Sequence, residues 1–259
     1  MCNYNEMKNL IQAIHVTKNS NLDDFASLKI GHDKNIDVYY CPFDYINTDA
    51  KIVLVGITPG KQQFINALLS AKDAIAQNLT TPEILKKVKI EGAFSGPLRN
   101  NLVKLMDNIG LNKKLGIASS KSLFEEHRHL LHTTSILQQP TFVNNKDYNG
   151  SSPKMLKTPI MLKQIENFKK EIERLPNALY IPLGNKVSEI FEIFINDNIL
   201  NENQVLIGLP HPSGANAGRI SYFLGDKTKE SLPKNSTINA ENLDLAKHEI
   251  LMKLDKTTI

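Results

Sequence analysis

Short apolar runs alternate with amphipathic segments along most of this chain. Four runs are rich in aliphatic and β-branched residues and bounded by Gly, Pro or polar residues, which predicts buried strands at residues 51–57, 130–137, 178–183 and 204–209. Between them, apolar residues recur at helical spacing over residues 62–77, 98–109, 161–175 and 187–195. This alternation predicts an α/β fold, a three-layer αβα sandwich with a central, mainly parallel four-stranded sheet.

Three further segments extend this pattern. Residues 36–41 favour an edge strand, and Pro82 predicts the start of another short helix. Residues 138–157 are polar and rich in Asn, Gly and Ser, so we expect a long loop there. A connection of that length in a compact domain is either mobile or functional.

Length and composition favour one domain with a substantial core. The chain has 259 residues, of which 41% are hydrophobic. We expect a single domain over residues 1–259 with its core at about 42–225. The remaining tail, 226–259, is polar and favours a helix over 240–254.

Cysteine usage and the N-terminal sequence indicate in which cellular compartment the protein acts. Cys2 and Cys41 are the only cysteines, too few for a disulfide framework or a four-thiolate iron-sulfur cluster. Residues 1–22 lack the apolar core of a signal peptide, and no stretch reaches the roughly 18 apolar residues of a membrane span. We therefore expect a cytoplasmic protein that does not act at a membrane. Nothing in the sequence demands more than a monomer or indicates an obligate protein partner.

Two loops that follow apolar runs carry candidate chemistry. Residues 56–60 read Gly-Ile-Thr-Pro-Gly, and residues 211–214, about 150 positions later, read His-Pro-Ser-Gly. In open α/β sheets, the loops at the carboxyl ends of the strands form the binding crevice. The pattern therefore directs attention to Thr58 and His211 as members of one site.

Arginine is scarce in this basic chain. The formal net charge is +4, and only four of the 31 basic residues are Arg. Two of them, Arg99 and Arg219, stand beside Gly-containing motifs. Because Arg forms planar bidentate contacts to phosphate that Lys cannot form, Arg219 is either a phosphate-binding residue or a surface residue of a helix.

Four segments resemble motifs of the uracil-DNA glycosylase superfamily, in the same order. Residues 56–60 are similar to the Gly-x-Asn-Pro-Gly loop of its mismatch-specific members, and residues 211–214 to its His-Pro-Ser and Pro-Ser-Gly loop. Residues 92–96, Gly-Ala-Phe-Ser-Gly, resemble the loop whose aromatic residue stacks on the flipped base. Residues 183–186 resemble the third strand and its turn, so the resemblance covers about 42–225.

The resemblance implies a monofunctional DNA glycosylase of base excision repair that needs no cofactor. Such an enzyme hydrolyses the bond between deoxyribose and uracil, or another deaminated or damaged base. Negative charge develops on the departing base and positive charge on the sugar, so the site needs a donor at the base and a group that places water. The resemblance implies that His211 is the donor and that Phe94 stacks on the base, beside Gly56 and Ile57.

Two positions depart from the family pattern. Thr58 stands where the family carries Asp or Asn to orient or activate water, and a hydroxyl can hold water but is no general base near neutral pH. The sequence leaves open whether activity is slow or another carboxylate serves. Ser135 stands where an Asn reads the edge of the base, so discrimination for uracil is also open.

The loop after His211 suggests a DNA-binding role. The resemblance implies that Ser213, Gly214, Asn216 and Arg219 hold the DNA backbone. Relatives insert a bulky wedge into the duplex where this chain has the small Ala215, which favours single-stranded or mismatched DNA. The alternative for this loop is a plain helix start with Asn216 as its N-cap.

Other interpretations remain. The substitutions at Thr58, Ser135 and Ala215 would also suit a catalytically weak or inactive member that binds nucleic acid or a nucleotide, and a free nucleoside is a third possible substrate. Three nearby histidines follow Glu125 and Glu126, but their spacing matches no familiar ligand set. No metal is therefore expected.

Overall fold

The computed structural model of the protein describes residues 3–94, 96–233 and 236–257. Ser95 and parts of the tail (234, 235, 258 and 259) therefore lie outside the described residues. The helices are α1 Tyr4–Ala13, α2 Lys61–Ala76, α3 Thr81–Gly92, α4 Pro97–Asn108, α5 Leu111–Lys114, α6 Pro159–Glu173, α7 Asn185–Asn196, α8 Ala217–Leu224 and α9 Ala240–Lys256. The strands are β1 Lys29–Asp33, β2 Ile36–Tyr39, β3 Ile52–Gly56, β4 Leu131–Ser135, β5 Thr141–Val143, β6 Lys146–Asp147 and β7 Leu179–Pro182.

The chain folds as two compact units, and each unit is built from three separate stretches of the sequence. The first unit comprises Met1–Asn47, Ile57–Ser95 and Thr133–Arg174, and the second comprises Thr48–Gly56, Gly96–His132 and Leu175–Ile259. The helix periodicity of the sequence is confirmed in both, by α2 and α6 in the first and by α4, α7 and α9 in the second. The single domain over 1–259 stays a prediction.

The first unit contains a four-stranded antiparallel sheet in the order β1-β2-β5-β6. Its core is aromatic: Phe64 of α2 meets Phe25 at 5.1 Å and Tyr39 of β2 at 5.8 Å between ring centroids. Tyr39 in turn meets Phe142 of β5 at 5.7 Å. These edge-to-face and tilted contacts fix α2 against β2 and β5.

The predicted loop at 138–157 is wrong in its first half, which forms β5 and β6. Asn144 and Asn145 join these strands, and both have positive φ angles, +51° and +59°. Two central residues with positive φ make a type I′ turn, whose twist matches that of the flanking strands. The Asn pair that suggested a loop is thus the turn of a hairpin. A strand is present within the predicted segment 36–41 as β2, but its predicted edge position is wrong, because β2 lies between β1 and β5 in this antiparallel sheet.

The second unit contains β3 and β7, which belong to a three-stranded parallel sheet in the order β4-β3-β7. The β3–β7 register pairs Ile52 with Leu179 and Val55 with Pro182. All residues of β3 and β7 are buried, as expected for strands of a parallel sheet. The α/β class predicted from the sequence is confirmed.

The predicted four-stranded parallel sheet is wrong, because residues 204–209 do not form a strand. Val205 makes a single parallel bridge to Tyr180, and the Leu206 N–H donates to the Tyr180 carbonyl at 2.9 Å. The next ladder bond would come from the N–H of Pro182, which proline lacks. Gly208 then turns away with φ +124°. No helix among the described residues is both long and apolar enough to cross a membrane.

Candidate active site

The loop after β3 is fastened to β5 by one side chain. The Thr58 hydroxyl donates a hydrogen bond to the Gln139 carbonyl at 3.0 Å and accepts one from the Thr141 N–H at 3.1 Å. The hydroxyl therefore makes the two kinds of bond that a neighbouring strand would make. Next to it, the Ile57 carbonyl accepts the Leu137 N–H at 2.9 Å. Thr58 is thus a structural link as well as the position where the family pattern has Asp or Asn.

A buried network of polar side chains holds the partners of Thr58 in place. The Gln139 side-chain oxygen accepts the Cys41 N–H at 2.6 Å, and the Gln139 N–H donates to Gln164 Oε1 at 2.9 Å. Gln164 Nε2 donates to Thr141 Oγ1 at 3.0 Å, and that hydroxyl donates to the Gln139 carbonyl at 3.0 Å. No motif in the sequence indicated either glutamine. Buried and mutually bonded, they fix the backbone that Thr58 reaches.

Phe94 and Ser135, predicted from separate segments, line one pocket of the first unit. The pocket is bounded by Phe43, Pro59, Gln63, Lys89, Ala93, Phe94, Thr133, Thr134, Ser135 and Gln138. The Phe94 side chain is buried, and its N–H donates to Gln63 Oε1 at 3.4 Å. The space between these side chains is only about that of one water molecule.

Two features of this pocket are energetically unfavourable. Phe94 has φ +48°, a left-handed conformation that is rare for an aromatic residue and costs on the order of 1–3 kcal/mol. The Thr133 hydroxyl is buried and finds no hydrogen-bond partner among the described residues. Strained backbone and unsatisfied polar groups concentrate at binding sites, so both features make this pocket a candidate ligand site.

His211 of the second unit is held as a neutral hydrogen-bond donor. Burial lowers the pKa of the imidazole below its usual range, because the charged form loses hydration. Its Nδ1 accepts the Ser213 N–H at 3.3 Å. A neutral imidazole with an accepting Nδ1 carries its proton on Nε2, so Nε2 is the donor.

The backbone around His211 is positioned from two sides. Gly184, which follows β7, has φ +85°, and a Cβ built on it would lie 2.9 Å from the Cβ of His211. Its N–H donates to the Leu209 carbonyl at 3.0 Å. From α4, the Asn101 amide donates to the Pro212 carbonyl at 2.9 Å. Only glycine allows this approach, which explains the turn that resembles the family's third strand and turn.

The loop side chains that follow His211 form a chain of hydrogen bonds. Asn216 Nδ2 donates to Ser213 Oγ at 3.2 Å, and Arg219 donates to Asn216 Oδ1 at 3.1 Å and to the Thr237 carbonyl at 3.4 Å. Asn216 precedes α8, but its side chain makes no capping bond among the described residues. Asn216 therefore stands at the N-cap position, as the alternative interpretation expects, but it does not cap the helix with its side chain. Gly214, which follows Ser213 in the sequence, is exposed.

The other residues singled out in the sequence are Gly56 and three histidines. Gly56 is the buried last residue of β3. His127 and His129 have ring centroids 6.3 Å apart, and His132 is buried in β4. In the part of the chain that the structure describes, His, Cys, Asp and Glu residues form no group of three or more suited to a metal ion.

Thr58→Val replaces the linking hydroxyl with a methyl group of similar size. We expect a loss of about 1–3 kcal/mol in the free energy of unfolding, because the buried Thr141 N–H loses its acceptor. Thr58→Ser keeps the hydroxyl and should lose less than about 1 kcal/mol. Urea unfolding of both variants measures this, and equal stability of the two would contradict the linking role.

Gly184→Ala introduces strain and a contact with His211. A residue with φ near +85° costs about 1–2 kcal/mol, and the contact adds about 1–3 kcal/mol. Gly116→Ala is the matched control, because Gly116 has φ +67° but no described atom within 4 Å of an added Cβ. Thermal unfolding should show Gly184→Ala as clearly the less stable variant, and the reverse order would be inconsistent with this packing.

The protonation state of His211 is accessible to NMR. We expect ¹⁵N shifts typical of the Nε2–H tautomer and a titration midpoint below the usual histidine value, with the signal identified by its absence in His211→Gln. Since folding lowers this pKa, His211 destabilises the fold progressively as the pH falls below the usual histidine pKa and has no such effect above it. An Nδ1–H tautomer or a raised midpoint would refute this description.

Comparison with known proteins places these groups in a family. Residues 43–231, which include every candidate site residue, match the sequence profile of the uracil DNA glycosylase superfamily. The chain is also 34% identical over 248 residues to the uncharacterized protein YoxB of Bacillus subtilis (strain 168), covering 93% of this chain and 95% of that protein. No solved structure shows a significant match. The chain belongs to the uracil DNA glycosylase superfamily.

Proposed function

We propose that this protein is a monofunctional DNA glycosylase that removes uracil, or another deaminated or damaged base, from DNA in base excision repair. The observation that carries the proposal is the neutral His211, whose Nε2–H is set up as a donor within the matched family region. We infer that it acts in the cytoplasm as a monomeric domain. We expect no cofactor and no obligate protein partner.

His211 would stabilise the departing base. When the N-glycosidic bond breaks, its electron pair leaves on the base and negative charge accumulates on a carbonyl oxygen. A neutral imidazole N–H in a partly dehydrated setting stabilises that charge without giving up its proton. Donors of this kind contribute about 10² to 10³ in rate.

The pocket of Phe94 would receive the base. The Phe94 ring supplies a stacking surface, and Ser135, beside Gln63 and Gln138, supplies hydrogen bonds for the base edge. Gly56 and Ile57 would stand beside the base, as the family pattern implies. Because the space in the pocket is only about that of one water molecule, its side chains must move apart to admit a base.

The loop after His211 would hold the DNA backbone. Ser213, Gly214, Asn216 and Arg219 offer a hydroxyl, an amide and a guanidinium for phosphate oxygens, in a chain of net charge +4. Ala215 is too small to wedge a duplex open. We therefore propose single-stranded or mismatched DNA as the favoured substrate, since extruding a base from it costs less.

Thr58 would help to place the attacking water. Its oxygen accepts one hydrogen bond, from Thr141, and keeps a second lone pair that can accept a hydrogen of water. The hydroxyl cannot take a proton from that water at neutral pH. Thr58 is thus proposed as a positioning group and not as the base.

Single-turnover base release tests the proposal. The substrates are single- and double-stranded oligonucleotides with uracil, hypoxanthine or xanthine, scored by strand cleavage at abasic sites. Wild-type protein should release at least one of these bases, and His211→Ala should be about 10² to 10³ slower. His248→Ala, a change of an exposed histidine on α9, should leave the rate unchanged.

Two results would replace this function with another. Tight binding of uracil-containing or abasic DNA without release would indicate a binding protein that has lost catalysis. Release from free nucleosides alone would indicate a nucleoside hydrolase.

A further inference from the structure

The proposed reaction lacks a proton acceptor at Thr58, the position where the family pattern has Asp or Asn. Hydrolysis requires that water lose a proton as it attacks the sugar, and positive charge on the sugar favours a nearby carboxylate. The Thr58 hydroxyl can neither take up that proton nor supply a negative charge near the sugar. The need for such an acceptor rests on the proposed function, and the fold offers a candidate for it.

A carboxylate from β6 lies directly over the Thr58 loop. Asp147 Oδ1 accepts the Lys61 N–H at 2.8 Å, and Oδ2 lies 2.9 Å from the position that a Cβ on Gly60 would occupy. Gly60 is therefore the residue that lets the carboxylate approach the loop backbone. Asp147 is 86 residues from Lys61 along the chain, yet it contacts the loop only two positions after Thr58.

The β5–β6 hairpin holds Asp147 and Thr58 together. Asp147 pairs with Phe142 in β5, and the neighbouring Tyr148 N–H donates to the Thr141 carbonyl at 3.3 Å. Thr58 accepts the N–H of the same Thr141. The hydroxyl and the carboxylate are thus fixed to one short piece of β-structure, whose tight turn leaves little freedom of register.

Capping of α2 accounts for only part of this arrangement. Gly60, at the N-cap of α2, has no side chain to accept a helix N–H. Asp147 of β6 supplies that acceptor instead. One capping bond uses one of about four acceptor positions of a carboxylate. Asp147 is exposed, so water reaches the rest, and the Lys61 ammonium is directed to Asn21 Oδ1 at 3.2 Å.

We propose that Asp147 is the general base of this glycosylase, in place of the Asp or Asn that Thr58 replaces. Water donates one hydrogen to Thr58 Oγ1 and the other to the Asp147 carboxylate. As the water oxygen bonds to C1′, Asp147 takes its proton and the C1′–N bond breaks with its electron pair leaving on the base. The base takes up one proton from solvent, and Asp147 returns one to solvent, so the net reaction consumes one water.

The variant Asp147→Asn distinguishes the role of Asp147 as a general base from its role as a cap of α2. The amide oxygen can still accept the Lys61 N–H, so the melting temperature should stay close to wild type, whereas single-turnover release of uracil from single-stranded DNA should slow by about 10² to 10⁴. Asp147→Ala should be equally slow and should regain part of its rate with added formate, which can occupy the emptied space. Formate should not restore Asp147→Asn.

Glu83→Gln is the matched control, because Glu83 is also a capping carboxylate of the first unit, bonded to the Thr80 N–H at 2.8 Å. Its rate should equal that of wild type. Wild-type release with an equally fast Asp147→Asn, or an Asp147→Ala that formate does not restore, would overturn the role of Asp147 and leave the proposed function standing. Absence of release by wild-type protein on every substrate would overturn both.

Discussion

The site of the first unit depends on two hydrogen bonds made by the Thr58 hydroxyl. It donates to one backbone carbonyl and accepts from one backbone N–H, and so joins the loop after β3 to β5. An ionised carboxylate cannot make both bonds because it has no hydrogen to donate. The geometry of the fold therefore favours a side chain that both donates and accepts at this position and disfavours the Asp of the family pattern. The same geometry requires that any carboxylate come from elsewhere, and the β5–β6 hairpin provides Asp147 at the same loop.

In the second unit the site depends on the partial burial of a neutral imidazole, that of His211. Burial disfavours the charged form of His211, and the Ser213 amide selects the tautomer with its proton on Nε2. Gly184 gives the histidine its place because a side chain there would collide with it. Two ordinary requirements, a glycine turn after a parallel strand and a partly buried loop histidine, together produce a donor without a formal charge. That is the electrostatic form suited to a leaving group that is itself becoming an anion.

Local periodicity predicted β3, β4, β7 and the longer helices, because apolar spacing directly determines which face of each element is buried. It failed at residues 204–209, where the apolar run is buried beside β7 but Pro182 cannot supply the second ladder bond. It also missed the hairpin, although Asn144 and Asn145 between two short runs are a recognisable type I′ turn signal. The motifs identified Thr58, Phe94 and His211 as candidates. Asp147 could not be found this way, because its role follows from a contact with Lys61 that only the folded hairpin creates.

The most direct test of the linking role of Thr58 is the rate of base release by Thr58→Asp, measured in single turnover beside its free energy of unfolding. We expect a variant that is about 1–3 kcal/mol less stable than wild type and no faster, since a carboxylate breaks the bond to Gln139 and adds a base where Asp147 already serves. A variant that releases base faster than wild type with unchanged stability would contradict this role. That result would mean that Thr58 marks a catalytic position that has lost its carboxylate, and that the link to β5 is incidental.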